Sequence, residues 1–319
     1  LKLRVAPSDS RQCVPLEKWI RFMATHAGVS AELGMDRAEQ ASAKLQASVA
    51  SLQGSSTVAV AGSVLGSAMA GSLCVGVLTP QRNAMTLAAK DTTSTYIRLY
   101  GKVFNSGFFG GFRGGSWPVI MALPQFACIG PVYHLAKDTT GSALVGTSTA
   151  AVAESIFTFS AQTRNAQIQY NASRSVAEQI PVMRLSWSPS GPGLGFHVLR
   201  NALAMMGIRI FSPYSLVAVK RLPWGLNRET QAILADLSSS IAAATLSMPF
   251  NHVFSWATCT PELKALSAKD RMRAGLRFLY ETYREQGARL LARDMAVRWS
   301  YTANLFTLYH ALERRVLNH

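Results

Sequence analysis

Gly107-Phe108-Phe109-Gly110-Gly111-Phe112-Arg113-Gly114 is the stretch that decides how this chain folds, because its pattern returns twice. Gly191 is followed by four residues and then Phe196-His197-Val198, and Gly287 by four residues and then Ala292-Arg293-Asp294. The copies start 84 and 96 residues apart. Each follows a loop of mixed polarity and precedes an apolar stretch. A unit recurring at this period sets the architecture before any single element does. It predicts three helical hairpins, each with a short amphipathic element between two long helices.

Outward from these elements, charge is scarce. The chain has 319 residues, and only 15% are charged against 49% hydrophobic; about 25% charged is usual for a soluble protein. Residues 45–81, 114–136 and 237–261 carry no Asp, Glu, Lys or Arg, and 139–163 carry only Glu154. An uncharged run of about 20 residues can cross a bilayer as a helix. Ala, Ser, Thr and Gly dilute these runs, which suits helices packed on helices more than helices facing lipid. Gly62, Gly66 and Gly71 lie along one side of the first, permitting close backbone approach. Pro80 and Pro249 stand near the ends of the first and fifth helices, set to kink or end them. The pattern predicts helices near 55–80 and 115–137, 141–161 and 198–219, and 232–257 and 294–313. Short helices are expected within 101–114, 180–197 and 275–293.

The net charge is +15. Nucleic acid is one reading of a basic chain. However, Arg and Lys scatter over the segments between apolar stretches and form no run interleaved with aromatics. Basic loops beside anionic lipid headgroups explain this more simply, so no nucleic-acid partner is expected. The cysteines at 13, 74, 128 and 259 lack zinc or redox spacing. No two histidines pair at helical spacing, and Gly191, Gly193 and Gly195 follow no strand-like run. Neither a metal nor a cofactor is expected. No nucleophile, base and orienter can be assembled, which argues against an enzyme. Lys2, Arg4 and Arg11 read as the remnant of a basic targeting segment.

Residues 1–53 form a separate N-terminal extension. Pro15 can open a helix, on which Leu16, Trp19, Ile20 and Met23 line one face and Glu17, Lys18 and Arg21 the other. Ala38, Ala41, Leu45, Val49 and Leu52 suggest a second, weaker helix. An amphipathic helix needs a cover for its apolar stripe: the bilayer interface, its own domain or a partner. For a partner, Trp19, Ile20 and Met23 are the expected anchors. The remaining 54–319 read as an all-α membrane domain in three pseudo-repeats, about 54–137, 138–221 and 232–317.

Over roughly residues 55–317 the chain resembles the mitochondrial carrier family. Ala70-Gly71 precedes Pro80 by the family's spacing, and Gly107 to Gly114 matches its glycine, four residues, aromatic, basic, Gly element. Pro124 and Tyr133 to Lys137 match its even-helix pattern, and Pro249-Phe250-Asn251 resembles its Pro-x-acid motif. In the second repeat Ser155 takes the proline position. An alternative register puts Gln162 there, with Arg164-Asn165-Ala166 echoing Arg82-Asn83-Ala84. The resemblance implies six tilted transmembrane helices around a cavity, in the mitochondrial inner membrane among anionic lipids such as cardiolipin. It also implies both termini in the intermembrane space, the recurring elements in the matrix, and two closed states held by rings of salt bridges.

The ring residues depart from that pattern. The acid positions of the matrix ring read Arg82, Phe157 (or Arg164) and Asn251. The base positions read Met85, Ser160 (or Gln167) and Phe254. The second ring reads Tyr133-His134 with Lys137, Tyr214-Ser215 with Ala218, and Tyr309-His310 with Glu313. The aromatics remain, the acids are gone, and only Lys137 keeps the basic role. Such a chain reads as a divergent member that keeps the fold and loses the gates. Glu154, Arg209 and Arg298 fall within apolar stretches, where charge usually faces an interior or a pair. Either Arg209 and Arg298 contact an anion, or Glu154 pairs with one arginine to lock the bundle; Arg298 can also snorkel. Three functions compete. The first is a structural accessory subunit of a large inner-membrane complex, such as a respiratory complex or the ATP synthase, for which the long extension argues. The second is a solute carrier with atypical gates for an anionic metabolite. The third is an unrelated six-helix membrane protein.

Overall fold

Pro80 divides the first long helix. In the computed structural model of the chain, α1 (Thr57–Val77) gives way at Leu78 to α2 (Thr79–Ala88), and the two parts meet at 54°. Proline has no N–H to donate and its ring crowds the preceding turn. The Thr79 hydroxyl donates to the Val75 carbonyl at 3.0 Å, within the bend. The structure describes residues 57–187, 189–223 and 225–317, with only the backbone course for 57–63, 310 and 313–317. The expected helix bearing Trp19, Ile20 and Met23 lies outside the described residues, as do the side chains of His310 and Glu313.

Every regular element among the described residues is helical. After α2 come α3 (Tyr96–Val103), a 3-10 turn at Phe108–Phe112, α4 (Ser116–Thr140) and α5 (Ala143–Asn171). Then α6 (Leu194–Met206) passes through a π-helical turn at Gly207–Phe211 into α7 (Ser212–Lys220). Next is α8 (Arg228–Thr258), which carries Pro249 without ending there, and finally α9 (Ala268–Leu317), broken at Gly287. The spans Ser116–Thr140, Leu194–Lys220 and Arg228–Thr258 are long and apolar enough to cross a membrane, and the bent α1–α2 pair makes a fourth if taken as one.

The recurring glycines share a backbone feature. Gly107, Gly191 and Gly287 have φ of 86°, 140° and 70°, a region that side-chain-bearing residues avoid. The elements around them differ. The first holds α3 and a 3-10 turn, and the third a helix running up to Gly287. The second departs from expectation: the described residues of 180–193 contain no helix, and α6 begins only at Leu194. Pro181, Pro189 and Pro192 explain this, since each lacks a donor and disfavours helix in the residue before it. A second departure is the length of α5, which runs ten residues past the expected 161, to Asn171. Apolar periodicity stops earlier because the added turns bury polar side chains, among them Thr163, Asn165, Gln167 and Gln169.

Two surfaces of α1 do different work. Its inner side meets α4, and a Cβ built on Gly71 would stand 2.2 Å from Phe126 Cγ. Cys74, Val75 and Leu78 continue this core with Phe126, Val297 and Tyr301. Its outer side exposes Leu65, Met69, Leu73 and Val77, one per turn. A contiguous apolar stripe of this kind is stable when lipid or protein covers it.

Candidate functional site

Five helices bring polar side chains into one buried layer. α2 contributes Arg82 and Met85, α5 contributes Glu154 and Gln162, and α6 contributes His197, Arg200 and Asn201. Ser247 and Asn251 come from α8, and Arg298 and Tyr301 from α9. The helical period sets these residues on sides of their helices that face neighbouring helices.

Arg200 is the hub. Its Nη1 donates to Asn251 Oδ1 at 2.6 Å and its Nη2 to Gln162 Oε1 and to His197 Nδ1, the latter at 2.9 Å. Its guanidinium carbon lies 4.2 Å from the centre of the Phe254 ring, a favourable cation–π placement. His197 Nε2 in turn meets the Thr158 hydroxyl at 3.0 Å and Asn201 Nδ2 at 3.3 Å. Arg298 donates to Ser247 Oγ at 3.1 Å through Nη2 and to Asn251 Oδ1 at 3.4 Å through Nη1. Asn251 Nδ2 reaches Met85 Sδ at 3.6 Å, and the same sulfur accepts from Arg298 Nη1 at 3.7 Å. Arg82 Nη2 donates to the Tyr301 hydroxyl at 2.7 Å. Arg82, Arg200 and Arg298 are 6%, 5% and 5% exposed, so these bonds form away from water.

The expected ion pair of Glu154 does not form. Its Oε1 accepts from Gln125 Nε2 of α4 at 2.7 Å. Arg209 faces elsewhere: its guanidinium carbon lies 4.7 Å from the centre of the Tyr133 ring, which also has Lys137 Nζ at 5.9 Å. Among the described residues, ion pairs join Lys102 to Asp91, His252 and Arg293 to Asp294, Arg273 to Asp270 and Arg277 to Glu281. None involves Glu154, Arg82, Arg200, Arg209 or Arg298. A neutral donor on the adjacent helix has taken the place of a distant cation. Arg298 does not snorkel either, being buried on the same layer.

The remaining ring positions scatter. Phe157 is half-buried and meets Trp187 edge-on, with centroids 5.8 Å apart. Ser160 is buried. Phe254 packs with Phe159 and His197 beneath Arg200. His134 and Lys137 are exposed, and Ser215 is half-buried. In the other register, Gln162 binds Arg200, Arg164 donates to the Met183 carbonyl at 3.0 Å, and Gln167 donates to the Thr258 carbonyl at 2.9 Å. The two echoing asparagines meet: Asn165 Nδ2 donates to Asn83 Oδ1 at 2.9 Å.

A second cluster escaped the sequence. Arg293 donates twice to Asp294 Oδ1, at 2.7 and 2.9 Å, and to the carbonyls of Ala88, Asp91 and Ser94 at 2.9, 2.6 and 2.9 Å. It pins the α2–α3 loop onto α9. In that loop burial pushes the Asp91 carboxyl up, but bonds from Lys102, Ser94 and Thr93 outweigh it and hold the group well below the usual carboxylate range. A depressed value means stability present above the ordinary carboxylate pKa and lost as pH falls through the lower folded one. Asp91→Asn is therefore expected to lower the melting temperature at pH 7, through a loss of about 1 kcal/mol. The gap should shrink as the pH approaches 3; an equal gap at pH 7 and pH 3 in a melting series would contradict this.

Arg200 and Arg293 each lie within a few residues of a recurring element, at Phe196-His197-Val198 and at Ala292-Arg293-Asp294. That proximity was the available signal. No known family model matches the chain, and a comparison with curated proteins finds no match.

Proposed function

We propose that this chain is a six-span, carrier-like protein of the mitochondrial inner membrane that no longer transports and serves as an accessory subunit of a large complex there. The observation that carries the reading is the layer around Arg200. Hydrogen bonds tie α5, α6, α8 and α9 together where the resemblance expects separable ion pairs. Arg82, Asn251, Met85 and Phe254 supply no opposed charges, so no second set of pairs can replace the first when the bundle changes state. Without two states of comparable stability, a substrate has nothing to shift. The exposed stripe on α1 and the extension 1–53 offer surfaces for neighbouring subunits and for anionic lipid.

Two measurements test this. Reconstituted in liposomes, the full chain is expected to exchange nucleotides, phosphate or carboxylates no faster than protein-free vesicles; robust uptake of any of them would sink the structural reading. Extracted in mild detergent, it is expected to migrate within a large complex, with Trp19, Ile20 and Met23 cross-linking to a neighbour. A second reading, an anion carrier with atypical gates, draws on one observation: Arg82, Arg200 and Arg298 concentrate positive charge at the centre of the bundle.

A further inference from the structure

The layer holds more positive charge than its own residues neutralise. Three guanidiniums, from α2, α6 and α9, lie within electrostatic reach of one another: Asn251 joins Arg200 to Arg298 by hydrogen bonds, and Arg82 binds Tyr301, one turn along α9 from Arg298. Arginine stays protonated in proteins. The carboxylate closest to them in electrostatic influence is Glu154, which feels Arg200, Arg298 and Arg82 but spends its near oxygen on Gln125. Three positive charges against at most one negative leave an excess of two or more. Buried charge without a counter-charge is strongly destabilising.

The donors make the same point atom by atom. A guanidinium carries five N–H groups in a fixed fork. Arg82 Nη1 and Arg200 Nε are buried and have no acceptor among the described residues. The acceptors that are present are poor for a cation. Asn251 Oδ1 is shared between Arg200 and Arg298, and Met85 offers a thioether.

We propose that a small oxyanion of two negative charges, of the phosphate type, binds among Arg82, Arg200 and Arg298 and stands in for the carboxylates this layer lacks. Charge count and donor geometry agree on that chemistry. A phosphate group carries between one and a half and two charges near neutral pH, and planar guanidiniums bind it through paired N–H donors. Seated there, it joins α2, α6 and α9 by charge-assisted bonds and accepts from the two unused donors. The anion is occluded, as the low exposure of all three arginines requires. Its source is either free phosphate or the headgroup of an anionic lipid.

The test is binding by the purified full chain. In neutral detergent, equilibrium dialysis with radiolabelled inorganic phosphate is expected to show one saturable site. Arg82→Gln and Arg200→Gln should each weaken binding about tenfold or more, the cost of removing a hydrogen bond to a charged group. Glu154→Gln should tighten it several-fold by removing the opposing carboxylate, and this variant keeps the test decisive if an arginine variant fails to fold. A parallel arm compares phosphatidic acid with phosphatidylcholine in nanodiscs; phosphatidic acid that excludes labelled phosphate identifies a lipid headgroup as the source. No saturable binding in either arm, or binding indifferent to all three substitutions, overturns the proposal. Bound phosphate without exchange across liposomes supports the site and leaves the accessory-subunit reading intact, whereas exchange supports the site and ends that reading.

Discussion

Arg293→Ala is expected to cost about 3–5 kcal/mol of stability, the range for breaking a buried pair by removing one partner. The side chain is buried, and it holds Asp294 and three backbone carbonyls of the α2–α3 segment at once. Truncation leaves Asp294 buried with the Tyr283 hydroxyl at 3.0 Å and His252 Nδ1 at 3.2 Å as its remaining partners. It also leaves the three carbonyls of Ala88, Asp91 and Ser94 without this donor. In neutral detergent the melting temperature should fall by on the order of 10 °C. Arg293→Lys is expected to recover only part of it, since one ammonium cannot span those acceptors. A melting temperature within 2 °C or so of the parent protein would show that the bridge is dispensable, against the usual penalty.

The second large effect is steric. Gly71→Leu places a Cβ where Phe126 Cγ and Cδ2 now lie 2.2 Å away. Phe126 cannot withdraw easily, because its ring packs on Tyr309 with centroids 4.8 Å apart. Overpacking of this kind costs about 1–3 kcal/mol, occasionally more. The cause is separable from a general loss of helix fit by a double-mutant cycle. Gly71→Ala combined with Phe126→Ala should be less destabilised than the sum of the single changes, with a coupling of about 0.5–3 kcal/mol. Strict additivity would place the damage somewhere other than the α1–α4 contact.

Where the chain was legible, local chemistry decided the outcome. Pro80 marks the bend between α1 and α2, and uncharged runs announced α1, α4 and α8. The recurring glycines all adopt positive φ because the turn needs it. Where local chemistry pointed one way and long-range contacts another, reading failed. Glu154 looked for a cation, and Gln125, 29 residues away on the next helix, supplied a neutral donor. Arg209 was one of the two cations expected beside Glu154, but its neighbour is the ring of Tyr133. Arg200 went unremarked because it opens an apolar stretch, and only the arrival of Asn251 and Gln162 from other helices makes it central. The end of α5 was missed for the same reason: buried amides look like surface when their partners are not yet known.

The π-helical turn at Gly207–Phe211 has a consequence for how this chain aligns with any relative. A π turn takes up one residue more than an α turn, which rotates everything beyond it by about 100°. Tyr133 and Tyr309 are 5% and 9% exposed, whereas Tyr214, the matching aromatic beyond the turn, is 75% exposed. The sequence before Gly207 and the sequence after Phe211 therefore follow two different frames. An alignment that runs through this helix without a one-residue gap compares half of it with the wrong side of a straight helix.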